Sequence, residues 1–122
     1  MKKRILVIED VEMNIDLLVQ LLDEEYEILT ANDGETGIAL ALKEKPDLIL
    51  MDLALPVVDG WEATRRIKAN HALRSIPVIA LTARAMKGDE ERARASGCDD
   101  WLVKPLDENQ LFDALHRWLD NA

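Results

Sequence analysis

Three stretches of the chain are apolar without alternation: Ile5–Ile8, Leu48–Met51 and Val78–Leu81. Continuous runs of this length suit strands covered on both faces. Two shorter pairs, Ile28-Leu29 and Leu102-Val103, complete a set of five. Between the runs the apolar spacing changes to three and four residues. Ile15, Leu18 and Leu22 form one such face; Ile38, Ala41 and Leu42 form a second within Glu35 to Lys45. Trp61, Thr64 and Ile67 make a third, and Leu111, Ala114, Leu115 and Trp118 a last. This is the pattern of amphipathic helices. Asp33 stands where an N-cap belongs, and Asp107 with Gln110 resembles a capping box. Strand–helix alternation repeated five times predicts an α/β fold, a doubly wound parallel sheet with helices on both faces.

One segment departs from the pattern. Asp89 to Ser96 reads Asp-Glu-Glu-Arg-Ala-Arg-Ala-Ser and offers little beyond alanine to a core. Gly97 follows as a C-cap. A helix so thinly anchored belongs to the low-stability end of a domain.

Composition narrows the class. The 122 residues suffice for a single domain, expected over residues 1–122, with no repeat or linker. The net charge of −9 opposes binding to nucleic acid and to anionic membranes. One cysteine permits no internal disulfide, no apolar run reaches membrane-spanning length, and Met-Lys-Lys-Arg leads into too short an apolar stretch for a signal peptide. A cytoplasmic protein is the expectation. Cys98 is expected as a small buried hydrophobe. His71 and His116 lack metal-ligand spacing and are expected at the surface. Arg65, Arg66, Lys68 and Arg74 read as a solvated helix face.

The chemistry gathers where the strands end. The first expected strand runs into Glu9-Asp10, the third into Asp52, the fourth into Thr82 and the fifth into Lys104. In a parallel sheet all of these lie along the carboxyl edge, where ligands bind at the reversal of strand order. In the flavodoxin-like order 2-1-3-4-5, the first and third strands are neighbours, so Asp10 and Asp52 become adjacent. Three carboxylates together call for a hard divalent cation such as Mg²⁺. Carboxylates, a hydroxyl and an ammonium are also what phosphoryl transfer uses, and a carboxylate can itself be the nucleophile.

At these residues the chain resembles the receiver domains of two-component response regulators. The resemblance rests on residues 5–10 (Ile-Leu-Val-Ile-Glu-Asp), 46–60 (from Pro-Asp-Leu-Ile-Leu-Met-Asp to Val-Asp-Gly), 77–83 (Pro-Val-Ile-Ala-Leu-Thr-Ala) and 97–105 (Gly-Cys-Asp-Asp-Trp-Leu-Val-Lys-Pro). The stretch 85–92 looks most like receivers that stand alone or are attached to hybrid kinases. The resemblance implies that Asp52 is the phosphorylated aspartate and that Asp10 and Asp52 ligate Mg²⁺. It implies the Ala54 backbone carbonyl as a further ligand, with Glu9 acting through a water. Thr82, with Ala83 after it, and Lys104 would bind the phosphoryl group. Trp101 would be the switch aromatic, and Pro105 would follow a cis peptide. The implied partners are a sensor histidine kinase or histidine phosphotransfer protein and a downstream protein target. The output surface would comprise the fourth helix, last strand and last helix, in a monomer or a phosphorylation-dependent dimer. No output domain is expected after the last helical stripe, so output is expected through protein contact or phosphate relay.

Some positions depart from the family pattern. Trp101 stands where Tyr or Phe is usual. Val11 follows the acidic pair, either as an apolar contact at the rim or as a staple on the first helix. Ala54 has no side chain to position an attacking water, which predicts slow autodephosphorylation, with Arg84 adding to or offsetting the effect. Three other readings compete. A phosphatase of the haloacid dehalogenase type would need a second aspartate at position 54. A flavin module would need a phosphate-cradling loop where Glu9-Asp10-Val11-Glu12 stands. A phosphorylation-independent docking module would have no use for the full set of Glu9, Asp10, Asp52, Thr82 and Lys104.

Overall fold

The computed structural model describes residues 2–55, 58–82 and 89–120. Its elements follow one another as β1 (Arg4–Ile8), α1 (Glu12–Leu22), β2 (Glu27–Ala31), α2 (Gly34–Glu44), β3 (Leu48–Asp52), α3 (Gly60–Ala69), β4 (Val78–Thr82), α4 (Asp89–Ser96), β5 (Asp100–Val103) and α5 (Glu108–Asp120). The five strands form one parallel sheet in the order β2-β1-β3-β4-β5, as the alternation predicts. β3 and β4 are buried along their whole length, which explains their unbroken apolar sequence. The edge strands β2 and β5 are half-exposed and carry polar residues.

Because successive side chains point to opposite faces, each central strand feeds two cores. Ile5, Val7, Leu48, Leu50, Ile79 and Leu81 pack under α1 and α5. Leu6, Ile8, Ile49, Met51 and Val78 pack under α2 and α3 with Ala41, Ala63 and Ile67. Three of the helices begin at a carboxylate cap. Asp33 accepts the Thr36 amide at 2.7 Å, Asp59 the Glu62 amide at 2.9 Å and Asp107 the Gln110 amide at 3.0 Å. At the amino end of the sheet two carboxylates bond strand amides directly. Arg4 N–H donates to Asp47 Oδ2 and Val78 N–H to Asp99 Oδ2, both at 2.8 Å.

α4 carries no buried apolar side chain among its described residues, in line with its sequence. The basic run of α3 divides. Arg65 and Arg66 are exposed and paired with Glu62 on their own helix. Lys68 is instead largely covered, its ammonium bonded to Asp99 and to the carbonyls of Arg74 and Ile76. The expectation of a fully solvated face fails at Lys68, because those carbonyls and Asp99 converge on one cation. Cys98 is half-buried rather than fully enclosed, lying between two apolar clusters. His71 and His116 are exposed. Among the described residues no helix is long and apolar enough to cross a membrane.

Candidate functional site

In the β1–β3 ladder Ile8 stands opposite Met51, so the next residues, Glu9 and Asp52, come side by side at the carboxyl edge of the sheet. With Asp10 they offer carboxylate oxygens that lie within 4.8 Å of one another. The three differ in environment. Glu9 is 0% exposed and Asp52 4%, whereas Asp10 sits at the open mouth.

The fifth strand supplies the counter-charge. Lys104 Nζ lies 2.7 Å from Glu9 Oε1 and 3.4 Å from Asp52 Oδ1. Glu9 also accepts the Val11 amide at 3.1 Å and the Asn14 side-chain amide at 3.3 Å. Asp52 Oδ1 accepts the Ala54 amide at 3.2 Å. The titration behaviour follows from these partners. Burial pushes Glu9 up, but the hydrogen bonds from Lys104 and Val11 outweigh it and hold its carboxyl below the usual range. Asp52 has the poorer share of the lysine. Burial, then the proximity of Glu9, raises it to about 6. Burial pulls Lys104 down, but Glu9 and Asp52 more than reverse this, so its ammonium is held charged.

The remaining expected residues fall around this centre. Thr82 closes β4 and is 8% exposed, and its carbonyl accepts the Lys104 amide at 2.6 Å. The Lys104–Pro105 bond is cis. Ala54 is exposed beside Asp52. Trp101 pairs with Ala80 across the β4–β5 ladder and packs half-buried against Leu53, Trp61 and Ala80. Ala83 and Arg84 lie outside the described residues. Val11 is 48% exposed at the rim and N-caps α1 through its backbone alone, so it is not folded down as a staple. Sequence reasoning missed Asn14. Its only signal was the separation of five residues from Glu9, which the strand-to-helix turn converts into contact.

An excess of two negative charges remains if the three carboxylates and Lys104 are all ionised. An oxygen-only donor set open to solvent on the Asp10 side fits a hard divalent cation.

The comparisons agree with this geometry. The family described as "Response regulator receiver domain" matches residues 5–116. The polar-differentiation response regulator DivK of Brucella anthropi is 42% identical over 123 aligned positions, covering both chains completely. The receiver domain of a sensor histidine kinase from Pseudomonas aeruginosa, solved with a magnesium ion in its active-site cleft, superposes with a TM-score of 0.91. Its identity is 37%, and the match covers 98% of this chain and 99% of that one. A receiver domain from Saccharomyces cerevisiae, crystallised with its histidine phosphotransfer protein, is 28% identical with a TM-score of 0.90. That match covers 98% of this chain and 90% of the other. Fold, sequence and site geometry converge, and the chain belongs to the receiver-domain family of response regulators.

Proposed function

We propose that this chain, as a single receiver unit over residues 1–122, accepts a phosphoryl group on Asp52 from a phosphohistidine on a partner and changes its surface in response. The observation that carries the reading is the buried Asp52 carboxylate, flanked by Glu9 and Asp10 and faced by the Lys104 ammonium. An Asp52 oxygen bonds to phosphorus as the phosphorus–nitrogen bond to the donor imidazole breaks, and the imidazole leaves with the bonding pair. Lys104, held charged by Glu9, offsets the negative charge on the transferred oxygens. Glu9 keeps that ammonium in place, and Ala54 N–H fixes the orientation of Asp52. Thr82 and Ala83 would bind the phosphoryl oxygens beside Lys104. Asp10, Asp52 and the Ala54 carbonyl would hold Mg²⁺, with Glu9 acting through water. When bound, the cation supplies charge neutralisation for the phosphoryl oxygens.

The donor is a sensor histidine kinase or histidine phosphotransfer protein. It must bring its histidine to the mouth of the crevice, and close by, Val11 ahead of α1 and Met13 and Leu17 on it are 48%, 79% and 56% exposed. A groove of about 430 Å³ between α1 and Lys104–Leu106 adjoins them. This apolar strip beside an acidic centre supports contact with a helix of the donor. Phosphorylation adds about −1.5 to −2 charge and three acceptor oxygens, which favour new positions of Thr82 and Lys104. Trp101 and the α4-β5-α5 surface would follow, passing the signal to a downstream protein in the cytoplasm. No external substrate is turned over, and Ala54 makes loss of the phosphoryl group slow.

The test uses purified protein, acetyl phosphate and intact mass, with Mg²⁺, with chelator, and with Asp52→Asn. One phosphoryl adduct that requires both Mg²⁺ and Asp52 is expected. No adduct in any arm would leave a phosphorylation-independent docking module.

A further inference from the structure

Of the three carboxylates in the crevice Glu9 is the most deeply placed, and its two oxygens are bonded unequally. Oε2 accepts the Val11 amide at 3.1 Å, a donor fixed by the backbone. Oε1 accepts two side chains, Lys104 Nζ at 2.7 Å and Asn14 Nδ2 at 3.3 Å. An ionised carboxylate only accepts, so the nitrogen of the Asn14 amide, and not its oxygen, is the atom that faces Glu9. On the shared oxygen the ammonium holds the shorter bond and the amide stands at longer range.

That arrangement suits the state before transfer. A phosphoryl group on Asp52 brings its oxygens to the far side of Lys104, whose ammonium already stands 3.4 Å from Asp52 Oδ1. The ammonium is drawn toward the new charge and away from Glu9. A buried carboxylate that loses its charged partner is strongly destabilised, and bulk solvent does not reach a group with no exposed surface. The Val11 amide is committed to the other oxygen. Among the described residues, Asn14 is the other side chain that donates to Oε1. It rides on the first turn of α1, where its own backbone N–H bonds Val11 O at 2.9 Å. Val11 in turn is tied to Glu9, so the helix start keeps the amide within reach whether or not Lys104 is there.

We infer that Asn14 is a positioning residue for phosphoryl transfer, the reserve donor that keeps the Glu9 carboxylate bonded while Lys104 moves to the phosphoryl group on Asp52. The inference rests on the proposed function for the reaction itself. With acetyl phosphate as donor, an Asp52 oxygen bonds to phosphorus as the bond from phosphorus to the acetate oxygen breaks, and acetate leaves with the bonding pair. Asn14 touches none of these atoms and acts through Glu9 and Lys104. Without it, Lys104 is held back by a carboxylate with no other side-chain donor on that oxygen, and the transferred group meets a more distant cation. With it, the Nδ2–Oε1 bond shortens as the lysine departs, and the movement leaves no buried charge exposed to loss of its partners.

The experiment measures the rate of adduct formation by intact mass, with acetyl phosphate and saturating Mg²⁺, in the full chain and in Asn14→Leu, Glu9→Gln and the double variant. Leucine has the shape of asparagine, is the better helix former and suits the groove that Asn14 lines with Leu17, Leu18 and Leu106, so N14L removes the donor and little else. N14L is expected to react about three- to tenfold more slowly than wild type, the range for part of one hydrogen bond to a charged group gained on the way to transfer. In E9Q there is no buried charge to keep bonded, so adding N14L should change the rate by less than about twofold. A second measurement follows the Asn14 side-chain amide by NMR, its signal identified by its loss in N14L. Its protons are expected to move downfield when acetyl phosphate is added to the wild type in Mg²⁺, as the bond to Glu9 shortens. A wild-type rate in N14L would overturn the inference. So would equal slowing in both backgrounds, which marks a merely structural loss, or an amide signal that phosphorylation leaves in place. If E9Q takes no adduct, the amide signal decides alone. A wild type that takes no adduct overturns the reading of Asp52, and the role of Asn14 with it.

Discussion

Asp52 is held at a cost to the fold, and removing its charge should stabilise the protein. The perturbation is Asp52→Asn, in metal-free buffer with chelator. Burial first, and Glu9 second, raises the carboxyl from 3.8 to about 6. A folded value above the unfolded one means that stability from this group is complete below about 3.8 and is lost as pH rises through 6. Two units correspond to about 3 kcal/mol at pH 7.5 by linkage. The attraction to Lys104, 3.4 Å away, is already contained in that figure, but an amide replaces the protonated carboxyl imperfectly, so a net gain of about 2 kcal/mol is expected. Urea unfolding of both proteins at pH 7.5 and pH 5 reads this directly. With a slope of about 1–3 kcal/mol per molar, the variant's midpoint moves up by roughly 1 M at pH 7.5. The difference narrows to about half at pH 5, where the folded wild type already carries most of its proton. A variant less stable than wild type at pH 7.5, or a difference indifferent to pH, would refute the reasoning.

Two further outcomes follow from other parts of the molecule. The Cys98 thiol is raised to about 11, by burial first and then by Asp99 and Asp100. Its alkylation by iodoacetamide at pH 8 should therefore run about a hundredfold slower than that of a thiol at 9.0, and a rate near that of a small free thiol would contradict this. Gly60→Ala sets a methyl against the Asp52 and Leu53 backbone, so the urea midpoint should fall by an amount equal to about 1–3 kcal/mol, and an unchanged midpoint would show that α3 can retreat without loss.

The central strands were legible because a strand covered on both faces writes itself as a continuous apolar run, as Leu48–Met51 and Val78–Leu81 do. The edge strands were harder to bound. β2 takes in Glu27 and Thr30, whose exposure frees them from any hydrophobic requirement. The α2 cap at Asp33 was legible because the signal is local, three residues from cap to amide. The site emerged because its carboxylates and lysine each follow a strand. Its internal partition did not. That Lys104 lies nearer Glu9 than Asp52 depends on side-chain reach within the crevice. Lys68 and Arg92 were both hidden for a further reason. Each meets a partner from another element, Asp99 and Trp61, about thirty positions away along the chain, and neither pairing leaves a periodic trace.

The two carboxylates at the amino end of the sheet have a consequence for how the molecule finds its alignment. Strands made of interchangeable Ile, Leu, Val and Met carry little information about how far to slide past one another, since no face alternates to penalise a slip. Asp47 on the Arg4 amide and Asp99 on the Val78 amide act as end-stops for two such strands. Each lies about 15 Å from the crevice, the length of a five-residue strand. The vernier that brings Asp52 level with Glu9 and Lys104 is thus read at the opposite end of the sheet. A substitution there that touches no reacting group would blur the alignment of all of them together.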